Sequence, residues 1–129
     1  MLSCEIEPHI SDTNATGHID NAAIPVWLER ARSPIYRIFN AALAADRWNL
    51  IIRRIELDFL RQINYPDTVT ITSRVGEIRN SSFSVAQEIS QNGQTAAQAS
   101  VVLVYYDYAS GEKQAIGTPE REQLQRLVK

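Results

Sequence analysis

The spacing of apolar and polar positions changes period twice along the chain. Residues 2–9 alternate, with Leu2, Cys4 and Ile6 on one side and Ser3, Glu5 and Glu7 on the other, which is the two-residue repeat of a short extended segment. The repeat then becomes helical. Ile24, Trp27, Leu28, Ala31, Ile35, Ile38 and Ala42 recur at three- and four-residue steps and form one apolar stripe, predicting a single long helix from about residue 22 into the low 40s. Pro25 is tolerated in a first turn, where N–H groups have no helical partner. Pro34 falls in the interior and predicts a kink or an interruption.

Beyond Asp46-Arg47-Trp48-Asn49 the alternation returns. Ile51, Arg53, Ile55, Leu57 and Phe59 interleave with Ile52, Arg54, Glu56, Asp58 and Leu60 in a long strand, and 69–75, 82–89 and 95–106 read as three more. Tyr65-Pro66-Asp67 marks a turn, and Asn92-Gly93 suits a type I′ hairpin. Thr118-Pro119-Glu120 opens a C-terminal helix through Val128, with Thr118 as cap and Pro119 at the first position. Residues 11–21 are rich in Ser, Asp, Thr and Asn, which bond their own backbone, so they read as a loop whose Asp20 or Asn21 caps the long helix. The order of elements predicts an α+β fold: one long central helix wrapped by a curved antiparallel sheet of five to six strands. A single domain over 1–129 is expected, without linker or repeat.

Composition narrows the function. The 129 residues carry 13 Lys and Arg against 15 Asp and Glu, a net charge of −2. No broad basic surface for nucleic acid or an anionic membrane follows from that balance. Cys4 is the only cysteine, so no intrachain disulfide and no cysteine metal cluster can form, and a reducing compartment fits best. Acidic residues stand where a signal peptide needs a positive flank, and no run approaches the roughly 18 apolar residues of a membrane span. A cytoplasmic protein with no metal, nucleic-acid or membrane partner is expected.

The chemistry concentrates in the loop. Asp12, Asn14, His18, Asp20 and Asn21 lie within ten residues and lead into a helix N-terminus, where free N–H groups and the helix dipole can hold the negative charge that develops on an attacked carbonyl. Capping alone accounts equally for Asp20 and Asn21, since such loops are common.

Asp12-Thr13-Asn14-Ala15-Thr16-Gly17-His18-Ile19-Asp20-Asn21, followed by Trp27-Leu28-Glu29-Arg30-Ala31-Arg32, resembles the signature of the 4-hydroxybenzoyl-CoA thioesterase-like branch of the hot-dog superfamily. There the usual form is Asp-x-Asp-x-x-Gly-His-Val-Asn-Asn before an aromatic-rich helix carrying a Glu and an Arg. The likeness continues in Arg79-Asn80-Ser81-Ser82-Phe83 and extends to about residue 108. It implies a hot-dog fold and hydrolysis of an acyl-CoA thioester without a separate cofactor. It also implies a homodimer or homotetramer with the site between subunits and sheets continued across them.

In that family the second Asp is nucleophile or base. Here the position is Asn14, whose carboxamide accepts no proton near neutral pH. The resemblance therefore points to Asn14 and His18 facing the thioester and the backbone N–H of Asn21 polarising its carbonyl. Asp12 and Glu29 are further candidates for the proton. Asp12 reads more readily as a loop-ordering acceptor, and Glu29 as a buried pair with Arg32 or Arg53. Arg79, Asn80, Ser81 and Ser82 are the expected contacts to CoA, with Arg53, Arg54 and Arg61 as possible help from a neighbouring subunit. Ile24, Trp27, Ile55 and Phe59 either set the depth of an acyl pocket or, for at least three of them, belong to the core. Two other readings stay open: a MaoC-like enoyl-CoA hydratase, since Asp12-Thr13-Asn14 with His18 and Asp20 is similar to that motif, and a non-catalytic acyl-CoA or acyl-carrier binding domain, which Asn14 favours.

Overall fold

The computed structural model describes residues 1–129. Strand β1 (Leu2–Ile6) is followed by helices α1 (Ala23–Ala31) and α2 (Ser33–Phe39). Strands β2 (Leu50–Phe59), β3 (Val69–Ile78), β4 (Ser82–Gln91), β5 (Gln94–Asp107) and β6 (Glu112–Lys113) come next, and helix α3 (Thr118–Gln125) closes the chain. The strands form one antiparallel sheet in the order β1-β3-β4-β5-β2, with β6 on β5. The α+β expectation and the six-strand limit hold. No helix is long and apolar enough to cross a membrane.

The single long helix does not form. Pro34 cannot donate to a carbonyl one turn back, and its ring collides with that turn. Helix α1 therefore stops at Ala31, the Arg32 N–H is shared between the carbonyls of Leu28 (3.2 Å) and Glu29 (3.0 Å), and α2 restarts with Pro34 in its first turn. Helix α2 ends at Phe39, short of the low 40s. Caps also differ from expectation. Ala22 occupies the α1 cap position, and Asp20 acts two residues earlier, its Oδ2 accepting the Ala22 N–H at 3.1 Å. Gly117 caps α3, so Thr118 is already helical, and the helix ends at Gln125 rather than Val128. The Asn92-Gly93 turn has positive φ at both residues (52° and 77°), as a type I′ hairpin requires.

Two apolar clusters lie between helices and sheet. The first joins Ile6, Ile19, Ile24, Trp27, Leu28 and Ile63 to Val69, Ile71 and Ile89. The second joins Ile35, Tyr36 and Leu50 to Val75, Phe83, Val85, Val101, Leu103 and Leu124. At the helix break Arg32 turns inward and is only 1% exposed. Its Nε donates to the Tyr36 hydroxyl (2.8 Å) and its Nη1 to Gln87 Oε1 (2.9 Å), while Gln87 Nε2 donates to Leu28 O and Ser73 Oγ (3.0 Å each). A buried cation costs several kcal/mol in lost hydration, which these neutral partners offset only through hydrogen bonds. Burial pushes the Tyr36 phenol above its usual range, with the Arg32 cation pulling the other way. The phenol therefore stays protonated at neutral pH.

Candidate active site

The loop after β1 is a compact hydrogen-bonded structure. Thr13 bridges Ile19 and His18 bridges Asn64, so the polar stretch lies against the segment after β2. Gly17, at φ 83°, makes the tight return that lets Asn14 N–H reach His18 O at 2.8 Å. The side chains then form a chain of their own. Asn14 Oδ1 accepts the Thr16 N–H (3.0 Å) and the Thr16 hydroxyl (2.6 Å), and Thr16 Oγ1 lies 3.1 Å from His18 Nδ1. The backbone donor identifies the Asn14 atom as oxygen. Thr16 has one hydroxyl proton and spends it on that oxygen, so it must accept from His18 Nδ1–H. Neutral His18 thus carries its proton on Nδ1 and leaves Nε2 as the free lone pair, while the Asn14 amide N–H₂ remains free to donate.

A cavity of about 370 Å³ opens beside this loop. It is lined by Asn14, Asn21, Ile19, Ile24 and residues 59–63, from Phe59 to Ile63. Asn14 and Asn21 therefore line one cavity. The Asn21 N–H donates to no protein group, because the helical ladder begins with Ala23 N–H to Asp20 O. It is available to a ligand oxygen at the start of α1.

The other candidates are placed elsewhere. His18 is half-buried and reaches the cavity only through Thr16 and Asn14, not as a lining residue. Asp12 Oδ2 accepts the His9 N–H at 2.8 Å and orders the loop. Glu29 is exposed and makes no ion pair, which corrects the expected buried pair. Arg32 binds Tyr36 and Gln87 instead, and Arg53 lies across the sheet. Glu29 lines a second cavity of about 240 Å³ with Tyr36, Trp48, Leu50, Ile51, Ile52, Leu103 and Tyr108, an apolar wall beside a free carboxylate. Of the four proposed pocket residues only Ile24 and Trp27 are core, each 2% exposed. Ile55 and Phe59, on the edge strand β2, are 45% and 53% exposed.

A third cavity, about 230 Å³, gathers Arg53, Arg54 and Arg79 with Ser82, Ser84, Phe83, Val102 and Glu77. The three arginines come from one subunit, and sequence reasoning placed only Arg79 there. Arg54 and Arg79 are partly neutralised by the exposed carboxylates of Glu56 and Glu77. Asn80 and Ser81 do not line this cleft. Their carbonyls accept from Ile116 N–H and Tyr105 N–H, which makes them structural.

Comparison with known proteins adds a family. The model of a thioesterase-like superfamily matches residues 8–125. A predicted thioesterase from Bacillus stearothermophilus superposes with a TM-score of 0.97 at 33% identity, over 99% of this chain and 96% of that one. A thioesterase complexed with coenzyme A and Zn from Thermus thermophilus gives 0.86 at 26% identity, over 96% and 97%. A 1,4-dihydroxy-2-naphthoyl-CoA thioesterase from Synechocystis shares the fold, with 0.83 at 16% identity over 98% and 96%. No curated protein sequence matches the chain.

Proposed function

The chain belongs to the thioesterase-like superfamily, and from that membership and the hot-dog fold we propose that it hydrolyses an acyl-CoA thioester to the free acid and CoA. The observation that supports this most directly is the cavity that Asn14 and Asn21 line together beside Ile19, Ile24 and Phe59, with the Asn21 N–H and the Asn14 amide N–H₂ both without a protein acceptor. The two donors hold the thioester oxygen as it becomes negative, and the apolar wall takes a compact acyl group. His18 acts through Thr16 and holds Asn14 in its donating orientation. The arginine cleft takes the CoA phosphates.

No proton acceptor lines the Asn14 cavity, and in this reading a second copy of the chain supplies it. Strand β2 is a ten-residue edge with exposed Ile52, Ile55 and Phe59, an open template for antiparallel pairing. Its charges are self-complementary. With Ile55 on a two-fold axis, Arg54 faces the partner's Glu56, and Phe59 faces the partner's Ile51. The Asn14 cavity lies at the end of β2 and the Glu29 cavity at its beginning, so the two-fold joins one to the other. The partner's Glu29 then takes a proton from water as the water oxygen bonds to the thioester carbon. The C–S bond breaks, and the CoA thiolate takes up a proton.

Mixed dimers test both activity and composition. Asn14→Ala and Glu29→Gln should each lower thiol release from acyl-CoA by about 10²-fold or more. Mixed and reassembled, the two inactive proteins should recover about a quarter of wild-type activity, because half the dimers are mixed and each has one intact site. Recovery of nothing would place both groups in one subunit. A wild-type protein that binds acyl-CoA yet releases no thiol would instead be the non-catalytic binding domain that Asn14 favours.

A further inference from the structure

Residues 79–82, at the turn between β3 and β4, carry one cation and one hydroxyl of the arginine cleft, Arg79 and Ser82, and all four of their carbonyls are held. Ser82 O accepts Arg79 N–H (2.7 Å), Ser81 O accepts Tyr105 N–H (2.8 Å) and Asn80 O accepts Ile116 N–H (2.8 Å). The fourth, Arg79 O, is held by a side chain: Arg121 Nη2 donates to it at 2.9 Å and lies 3.5 Å from Asn80 O. Helix α3, which carries Arg121, is itself anchored. Leu124 is fully buried, and Leu127 O accepts Val75 N–H at 2.8 Å, where the β3–β4 register shifts. The C-terminal helix is thus bound to the strand on one side of the turn and to the turn itself.

We infer that Arg121 is a positioning residue for the CoA phosphates, bracing the turn so that Arg79 and Ser82 project into the cleft with Arg53 and Arg54. This rests on the acyl-CoA reading above. The Arg79 side chain is about two-thirds exposed and has one weak tether, Glu77 at 3.2 Å, so its direction depends on the backbone beneath it. Arg121 is the side-chain anchor of that backbone and can be removed without altering the chain path. It is half-buried and touches neither the Asn14 cavity nor the arginine cleft. Its effect therefore falls on binding of the nucleotide end of the substrate and not on the acyl end.

The test compares Arg121→Met, Arg79→Met and the exposed-face control Gln123→Met. Calorimetry with free CoA is run beside hydrolysis of one acyl group carried on CoA or on N-acetylcysteamine, which lacks the nucleotide. Arg121→Met should weaken CoA binding about tenfold, the scale of one charge-assisted hydrogen bond, and raise KM for acyl-CoA equally with kcat kept. KM and kcat for the N-acetylcysteamine thioester should not change, and Gln123→Met should match wild type throughout. An equal loss on both thioesters, with a lowered melting temperature, would reduce Arg121 to a fold brace and overturn the inference. So would intact CoA binding in Arg121→Met alongside its loss in Arg79→Met. Wild-type protein that binds no CoA would remove the acyl-CoA reading itself, and the inference with it.

Discussion

Strands β4 and β2 have similar alternating sequences and opposite fates. Along β4 every second residue, Phe83, Val85, Gln87, Ile89 and Gln91, is buried beneath the helices. Along β2 the same inner face carries Ile52, Ile55 and Phe59, yet they are 41%, 45% and 53% exposed. Nothing in the local pattern separates the two. The difference lies in position, because β4 is central and lies under the helices, whereas β2 is the last strand of the sheet. The opposite edge, β1, has five residues and presents Ser3 and Glu5 outward, a short polar border that needs no partner. An apolar strand left open at one edge while the other is blunted is what the proposed dimer would cover.

The most disruptive test of that contrast is Ile55→Asp. It sets two carboxylates against each other on the proposed axis and should leave a folded monomer by light scattering with no thiol release. A dimer that survives would place the interface elsewhere. A pair of truncations follows. Phe83→Ala should cost about 3–5 kcal/mol of unfolding free energy in denaturant titrations. Phe59→Ala should change the dilute monomer by no more than about 0.5 kcal/mol, its cost appearing as weaker dimerisation. Equal effects would mean that β2 is as covered as β4. The smallest expected effect is at the β1 edge. Burial pushes the Cys4 thiol up from its usual 9.0, with Arg30 opposing, so iodoacetamide at pH 8 should label it more slowly than a free peptide thiol. Labelling at the peptide rate would mean that β1 detaches.

Much of this was written in the periodicity. The extended start, the helical stripe, the strands, the Asn92-Gly93 turn and the disruptive effect of Pro34 follow from rules acting within a few residues. The loop from Asp12 to Asn21 could be singled out for the same reason, and Asn14 and Asn21 line one cavity. The sequence could not say that Glu29 is unpaired, since the Arg32 beside it finds its partners 55 residues away on β4 and within α2. Nor could it show that Arg53 and Arg54 converge with Arg79, or that Arg121 holds the turn beneath it, because those contacts join distant strands and a terminal helix.

The chain by itself determined which stretches alternate, which coil and which break, because those choices depend on side-chain spacing and on where a backbone N–H is missing. Only the tertiary structure decided which alternating strand is covered, which carboxylate is free and which polar groups share a cavity. Burial and charge pairing are properties of the neighbours that folding brings together, and those neighbours are remote in sequence.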